Sequence, residues 1–442
     1  MGKIEGLTIC EGICIGRVLL YSPGQKISTH SDGEPVILAA NELTPIDMLE
    51  IEKLVPAGFI TAIGTIHSHV SILIRNMDVP AITNIPVQSD WNGKQVIVDA
   101  DRGEVIVDPT AEMLPYYEEQ IKLAELRKEK LLDEYRNRNA ITRRGKKLNV
   151  YANITSLSDL PTVLEQNAEG IGVFKTEFLY MKAAHIPTED EQFEVNRKLV
   201  TAMGNKKVVI RTVDLGADKK AACFYLDEEE NPAMGYRGIR ICLKQPEIFL
   251  PQIKAILRAS AFGKVAIMYP MIISANEILA IQKIVNQAKR ELRNQGIAFD
   301  DKIEQGIMIE TPAAVMISTE LAQMVDFFSI GTNDLLQYLF AVDRQSPKLK
   351  DLLDPYHPAF IRAIHHVMQS AKKAGIWVGV SGELASDLAY LHLFVDDGID
   401  ALAVSPSRIL KVKQTICEME QGTTSVLRSS DPFGNTLEGV QV

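Results

Sequence analysis

The part of this chain after Arg144 repeats one pattern, a short apolar run followed by a longer segment with helical spacing. Runs of this kind predict strands at 148–152, 170–174, 207–211, 265–269, 306–309, 327–330, 377–380 and 401–404. Helices are predicted between them, among others at 247–261, 275–295, 313–322 and 358–374. Apolar strands that alternate with helices are typical of a parallel sheet that is covered on both faces.

Eight regular strand–helix units predict a TIM (β/α)8 barrel. A doubly wound sheet is the alternative, but such sheets seldom repeat a unit eight times so regularly. The region before residue 110 contains shorter β-rich runs, for example 58–61, 96–99 and 104–107, and a predicted helix at 68–76. We therefore predict an α/β protein with a small N-terminal α/β domain and a C-terminal barrel.

The predicted boundaries follow changes in composition. We assign residues 1–110 to the N-terminal domain, 111–142 to a helical linker, 143–420 to the barrel and 421–442 to a polar tail. The linker carries opposite charges at helical spacings, which indicates a solvated helix. The tail is rich in Gly, Ser and Thr, so we expect it to pack loosely.

Composition excludes several classes of function. The net charge of -10 argues against a nucleic-acid partner. No apolar run approaches the length of a membrane span, and the first residues lack the pattern of a signal peptide. The five cysteines are scattered, as expected for buried thiols in a reducing compartment. We therefore predict a cytoplasmic protein that binds neither nucleic acid nor membrane.

Acidic residues directly follow two neighbouring predicted strands. Glu310 comes after the fifth strand, and Asn333 and Asp334 come after the sixth. Because the carboxyl ends of barrel strands meet at one face, these side chains should lie close together. Carboxylate oxygens are the ligands that Mg²⁺ prefers, with a substrate completing its shell. This edge of the barrel is therefore predicted to hold Mg²⁺.

Other polar side chains fall at the same edge. Cations at or shortly after strand ends are Lys175, Arg211, Arg237, Arg240 and Arg344. Ser381 and Glu383 follow the seventh strand. One guanidinium group can bind two oxygens of a phosphate or a carboxylate at the same time. The combination predicts a small polyanionic substrate chelated to the metal.

A second candidate site lies in the N-terminal domain. Residues 58–75 predict a strand, a glycine-containing loop and a helix, with His69 at the helix start just after Ser68. Free backbone N–H groups and the helix dipole would stabilise a phosphate on its imidazole, which is a nucleophile when neutral. The alternative is a histidine with only a capping or surface role. We interpret His67 as a loop residue.

Both regions resemble the phosphoenolpyruvate-utilising enzymes, and specifically the Enzyme I family of the bacterial sugar phosphotransferase system. The segment GFITAIGTIHSHVSILIRNMDVPAI is similar to the family's phosphohistidine swivel motif. Similar barrel motifs are GIGVFKTEFLYM, VVIRTVDLGADK, ENPAMGYRGIRI, GIMIETPAAV, FFSIGTNDLLQYLFAVDR and GVSGELASD. The resemblance implies an N-terminal phosphohistidine swivel domain and a barrel that binds phosphoenolpyruvate.

The resemblance also implies roles for individual residues. His69 matches the phosphorylated histidine, and Glu310 and Asp334 match the Mg²⁺ ligands. The residues that match the phosphoenolpyruvate-binding set are Arg211, Arg237, Asn333 and Arg344. The implied reaction moves a phosphoryl group from phosphoenolpyruvate, or a close analogue, to His69 and on to an acceptor, while the first domain swings. Relatives dimerise through the barrel, which implies a homodimer.

Three departures from the Enzyme I pattern stand out. A short loop replaces the helical domain that binds the phosphocarrier HPr, so the acceptor, a carrier protein or a small molecule, is unidentified. Ser381 replaces the family's general-acid cysteine, and a hydroxyl is a far poorer acid than a thiol. Lys175 replaces an expected arginine, which keeps the charge but loses the bidentate fork. Ser381 and Lys175 thus occupy positions with catalytic roles in the family.

Three functions are compatible with these residues. The first is an Enzyme I-like, Mg²⁺-dependent phosphotransferase. The second is a catalytically impaired relative that binds phosphoenolpyruvate or another anion and reports it to a partner. The third is an enzyme with altered enolate chemistry, because Ser381 does not donate protons as a cysteine does.

Overall fold

The computed structural model describes most of the chain, namely residues 3–22, 33–44, 47–48, 51, 54–64, 68–181, 183–216, 223, 229–344, 346 and 348–419. The chain divides into two compact units. The first comprises Met1–Glu134 and Arg344–Lys350, and the second comprises Tyr135–Asp343 and Asp351–Val442. The predicted tail at 421–442 and the predicted loop residue His67 lie outside the described residues.

The first unit is built on a mixed eight-stranded sheet in the order β1-β8-β7-β3-β4-β5-β6-β2. Its strands are β1 (Lys3–Glu5), β2 (Leu7–Cys10), β3 (Ile13–Tyr21), β4 (Val36–Ala40), β5 (Gly58–Thr61), β6 (Ala81–Thr83), β7 (Gln95–Asp99) and β8 (Glu104–Val107). Strands β3 to β6 pair in parallel, and the remaining pairs are antiparallel. Residues 22–35 are the whole connection between the parallel neighbours β3 and β4.

Two helices of this part of the chain are α1 (His69–Asn76) and α2 (Leu114–Tyr135). The hydroxyl of Ser68 caps α1 by accepting a hydrogen bond from the Ser71 N–H at 3.1 Å. Serine is a favoured residue at this position because its oxygen satisfies one of the free N–H groups of the first turn. The predicted helix start before His69 is therefore confirmed.

The second unit contains a closed barrel of eight parallel strands that pair in chain order, with the last strand against the first. The strands are β9 (Asn149–Ile154), β10 (Gly170–Lys175), β11 (Lys207–Arg211), β12 (Val265–Tyr269), β13 (Glu304–Ile309), β14 (Phe327–Gly331), β15 (Trp377–Ser381) and β16 (Ala401–Val404). Each overlaps one predicted strand. The predicted α/β fold with a C-terminal TIM barrel is confirmed.

Helices cover the outside of the barrel. They are α3 (Leu160–Glu165), α4 (Glu177–Met181), α5 (Glu189–Met203), α6 (Ile239–Lys244), α7 (Pro246–Ala259), α8 (Ala275–Asn294), α9 (Pro312–Met316), α10 (Ser318–Leu321), α11 (Thr332–Phe340), α12 (Pro358–Ala374), α13 (Leu388–Asp397) and α14 (Ile409–Glu418). The continuous helix predicted at 313–322 is wrong in one respect, because Ile317 leaves the helical conformation at φ -110° and ψ 22°. After this break the Ser318 hydroxyl is buried against Ser370 of α12 at 2.9 Å.

The interior of the barrel is packed with side chains, as in other barrels of this kind. Tyr151, Val173, Val209, Met268 and Met308 form part of this inner cluster. The polar residues at the carboxyl ends of the strands lie above this cluster. Within the described residues, no helix combines the length and apolar character needed to cross a membrane.

Candidate active site

Glu310, directly after β13, is completely buried. The Met271 N–H donates a hydrogen bond of 2.6 Å to Oε1, and Oε2 is buried with no hydrogen-bond partner in the described structure. Met271 has a φ of 60°, a region that costs free energy for a residue with a side chain. Burial, followed by the nearby carboxylates of Asp334 and Asp214, raises the pKa of Glu310 to about 8. A carboxylate held in this way favours a bound cation or a proton.

Asp334 lies in the first turn of α11, directly after β14, and is 9% exposed. Its Oδ1 is 3.7 Å from Nη1 of Arg237. The preceding residue, Asn333, accepts a hydrogen bond at 3.3 Å from the backbone N–H of Glu383, in the turn after β15. The turn from β14 into α11 therefore brings an amide and a carboxylate to the carboxyl face of the barrel.

Arg211 ends β11 and is 4% exposed. Its Nη2 donates to the Glu177 carboxylate and lies 3.7 Å from Oδ2 of Asp214. Its Nη1 lies 3.7 Å from the Met308 sulfur. The Nε–H is buried and has no hydrogen-bond partner among the described residues. A buried unpaired donor is costly, so this group favours an anionic ligand.

Arg237 makes a two-point contact with Asp214. Its Nε donates to Oδ1 at 3.3 Å, and its Nη2 donates to Oδ2 at 2.8 Å. Nη1 donates to the Tyr338 hydroxyl at 3.0 Å. Desolvation lowers the pKa of Arg237, but the carboxylates of Asp214 and Asp334 outweigh it and raise the pKa, so the guanidinium stays charged.

Ser381 is the last residue of β15 and is 3% exposed. Its hydroxyl donates to the Ile330 carbonyl and accepts from the Ser329 hydroxyl, both at 3.4 Å. Hydrogen bonds between oxygens at this distance are long and weak. Lys175 ends β10 and is paired in register with Arg211, so both residues occupy neighbouring strand ends.

The structure thus joins Glu310, Asp334, Arg211 and Arg237 through direct contacts or electrostatic coupling, and it places Asn333, Ser381 and Lys175 at the same face. The described contacts do not test two other candidates. Arg344 begins the segment Arg344–Lys350, which groups with the first unit. The backbone of His69 starts α1, but its side chain lies outside the described structure. The roles of both residues stay predictions.

Three residues of this network were missed by the sequence reasoning. Glu177 and Asp214 are buried acids that contact Arg211, and Tyr338 contacts Arg237. Glu177 lies two residues beyond β10, and Asp214 lies three residues beyond β11. The rule that polar residues just after barrel strands form the site would have found both acids, whereas Tyr338 lies in a helix with no such signal.

The donor set fits a magnesium ion bound together with an anion. Among the described residues, Glu310 Oε2 is a buried acceptor without a hydrogen-bond partner, and Arg211 Nε is a buried donor without one. Glu310 and Asp334 offer hard carboxylate oxygens, and Mg²⁺ commonly takes one or two such ligands while phosphate and water supply the rest. Within the described residues, no group of three or more His, Cys, Asp or Glu side chains that could hold a metal ion is found.

Comparison with known proteins identifies the family to which the chain belongs. The PEP-binding domain of PEP-utilising enzymes matches residues 129–421, and the mobile domain of the same enzymes matches residues 32–103. The chain therefore belongs to the phosphoenolpyruvate-utilising enzymes. This confirms the predicted resemblance.

Individual relatives narrow the comparison to one branch of these enzymes. The chain is 42% identical over 404 residues to a phosphoenolpyruvate-protein phosphotransferase of Staphylococcus aureus. This match covers 90% of this chain and 70% of that protein. It is 40% identical over 390 residues to the protein of the same name in Bacillus subtilis, with 88% and 68% covered. Among solved structures, a citrate lyase from Burkholderia xenovorans matches with a TM-score of 0.41 and 17% identity, covering 62% of this chain and 77% of that one.

Proposed function

We propose that the chain transfers a phosphoryl group from phosphoenolpyruvate, or a close analogue, to His69 and then to an acceptor. The observation that carries this proposal concerns two buried atoms in one electrostatic network, Glu310 Oε2 and Arg211 Nε. Neither atom has a hydrogen-bond partner in the part of the chain that the structure describes. A metal-bound phosphorylated substrate supplies the cation for the first group and the anion for the second.

In this reaction the bond between phosphorus and the enol oxygen breaks, and a bond between phosphorus and the His69 imidazole forms. Arg211 and Arg237 neutralise charge on the transferred group and the enolate, and Asn333 and Lys175 orient the substrate. Mg²⁺, held by Glu310 and Asp334, would add positive charge to the phosphoryl oxygens. The enolate then takes a proton to become pyruvate, and Ser381 is the candidate donor.

The proposed reaction requires His69 of the first unit to reach the barrel and then leave it. We propose residues 1–110 as the moving domain, 111–142 as the linker that contains α2, and 143–420 as the catalytic barrel. We also propose that Arg344 binds the phosphoenolpyruvate. A homodimer through the barrel is proposed from the family resemblance.

The acceptor is proposed to be a carrier protein or a small molecule that is recognised differently from HPr in Enzyme I. The names of the relatives specify transfer to protein. In this chain residues 22–35 alone connect β3 with β4, which leaves no room at that point for an inserted helical domain. Any carrier protein would therefore dock on another surface.

Labelling tests the proposed function directly. Phosphoenolpyruvate that carries a labelled phosphoryl group, with Mg²⁺, should label the wild-type chain and not the His69→Gln variant. The control is His366→Gln, which removes an exposed histidine from α12 and should be labelled normally. Absence of label in the wild type, or retention of label in His69→Gln, would refute the proposal.

A second candidate function is an anion-binding regulator with little turnover. It is favoured by Ser381, whose hydroxyl makes two long hydrogen bonds of 3.4 Å to described residues and lacks the acidity of a thiol. Multiple turnovers of phosphoenolpyruvate in the presence of a phosphoryl acceptor would rule it out. The third candidate, altered enolate chemistry, would be excluded if NMR found pyruvate as the sole carbon product.

A further inference from the structure

We propose that Asp214 is a positioning residue that orients both anion-binding arginines of the barrel site. The proposal rests on the proposed function, because it concerns how that function's substrate is held. Asp214 lies in the loop after β11 and is completely buried. It is therefore shielded from water and acts on neighbouring side chains rather than on solvent.

The contact with Arg237 fixes the plane of its guanidinium. Asp214 accepts from Nε at 3.3 Å and from Nη2 at 2.8 Å, so the carboxylate faces one whole edge of the group. Two-point contacts of this kind set the orientation of an arginine as well as its charge. The opposite edge of the guanidinium, which carries Nη1, is directed towards Asp334 and Tyr338.

Asp214 also connects Arg237 with Arg211. Its Oδ2 lies 3.7 Å from Nη2 of Arg211, and its backbone N–H donates at 3.2 Å to the Glu177 carboxylate that Arg211 also contacts. Carboxylates and guanidiniums therefore alternate through the network. A displacement of Asp214 would therefore alter both arginines.

The surrounding backbone holds this carboxylate in place. Gly238, at φ +57°, lies so close that a Cβ atom there would be 2.9 Å from Oδ1 of Asp214. On the far side of Arg237, Tyr338 accepts from Nη1 and donates to the Ala233 carbonyl, which anchors the loop that carries Arg237. Asp214 and Tyr338 thus hold the guanidinium from two sides. The contact with Asp214, at 2.8 Å, is shorter than the 3.7 Å between Nη1 and the Asp334 carboxylate.

The test compares ligand affinities in a His69→Gln background, where substrate binds without transfer to His69. Asp214→Asn keeps the shape of the side chain and removes its charge. It should weaken phosphoenolpyruvate binding in the presence of Mg²⁺ by about tenfold or more, as expected when a buried charge pair is broken. The affinity for Mn²⁺ alone should change much less, because the proposed metal ligands are Glu310 and Asp334.

Tyr338→Phe is the second variant, because it removes one neutral contact to Arg237 and preserves packing. It should weaken phosphoenolpyruvate binding by less than Asp214→Asn does. Asp397→Asn is the matched control, since Asp397 is a largely buried acid that pairs with His365 at 2.9 Å on barrel helices. It should leave phosphoenolpyruvate affinity unchanged.

The outcomes separate this proposal from the proposed function. If the His69→Gln parent binds no phosphoenolpyruvate, the proposed function is wrong. If that parent binds and Asp214→Asn binds equally well, the positioning role is wrong while the function stands. Equal losses for phosphoenolpyruvate and Mn²⁺ would show a general collapse of the site and also overturn the positioning role. If Asp214→Asn does not fold, unchanged affinity in Tyr338→Phe would decide against the proposal.

Discussion

At the scale of single residues, the site combines an acid that binds a proton unusually tightly with a hydroxyl that releases one poorly. Glu310 owes its raised pKa mainly to burial. Among the described residues, the hydroxyl of Ser381 has the Ser329 hydroxyl and the Ile330 carbonyl as hydrogen-bond partners, both at 3.4 Å. Neither partner is a base or a cation that would activate the hydroxyl. Proton transfer at position 381 is therefore expected to limit any turnover that needs it.

Ser381→Cys should increase the rate of pyruvate formation from phosphoenolpyruvate in the presence of a phosphoryl acceptor. A thiol is a better proton donor near neutral pH, and general-acid catalysis is worth about a hundredfold or more where it operates. The matched control is Ser370→Cys, which changes another buried serine, on α12, outside the site. An unchanged rate in Ser381→Cys would mean that this side chain does not protonate the enolate.

The stability of the metal-free protein should depend on pH through Glu310. Because the pKa is raised from an ordinary value of 4.5 to about 8, the folded protein keeps a proton that the unfolded chain has lost. The resulting stabilisation is complete below 4.5 and is lost as pH rises through about 8. Across this window the free energy of unfolding of the wild type should fall relative to Glu310→Gln, as measured by urea denaturation without divalent ions. Parallel pH profiles would contradict the assignment.

At the scale of elements, the site is made by the turns that leave the strands. Gly382 follows β15 with a φ of +112°, and a Cβ atom there would collide with Thr332 Oγ1 and lie 2.9 Å from Asn333 Oδ1. Thr332 in turn donates to the Ser381 carbonyl at 3.1 Å. The absence of a side chain at one position thus lets two loops from neighbouring strands interlock.

Gly382→Ala should therefore lower both stability and activity. The strained backbone costs about 1–3 kcal/mol, and the added methyl group displaces Asn333 from its place at the site. Gly375→Ala is the control, because Gly375 also has a positive φ, +73°, but its Cβ would meet nothing within 4 Å. Thermal unfolding and steady-state kinetics should show a stability loss in both variants but lower kcat/KM only in Gly382→Ala.

The strands were predictable because buried parallel strands are continuous apolar runs, and the residues after them follow from the geometry of the barrel. The sequence could not show that Ile317 interrupts a helix, since residues 313–322 keep helical spacing and the break accompanies a contact between Ser318 and Ser370. Nor could it show which acids pair with which arginines. Asp214 and Arg237 are 23 residues apart, and their two-point contact depends on how the loop after β11 folds back.

At the scale of the whole molecule, the two units have separate hydrophobic cores. In the first unit, one cluster joins apolar residues of the sheet, such as Ile37 and Val98, with Trp91. In the second unit, one cluster surrounds the barrel strands and another fills the barrel. Residues that are buried in the same core unfold together, so two units with different cores should be able to unfold separately. A ligand that binds one unit directly raises the free energy of unfolding of that unit.

Calorimetry should resolve two transitions in the His69→Gln variant, and phosphoenolpyruvate with Mg²⁺ should raise chiefly the one that belongs to the barrel. The expected stabilisation is about 2.7 kcal/mol at a hundredfold excess over Kd. Arg211→Ala should abolish the shift because the barrel then lacks a buried anion-binding group. A single transition that moves as a whole would show that the units unfold together.

The connection between β3 and β4 has an implication for how such enzymes diversify. Two parallel neighbours need a crossover of roughly a dozen residues, and residues 22–35 are close to that minimum. Lengthening a surface connection costs little, since the entropy of closing it grows only with the logarithm of its length. A partner-binding domain can therefore be inserted or lost at this connection without a change in the residues of the barrel site. Grafting a binding domain there could direct the protein to a new acceptor.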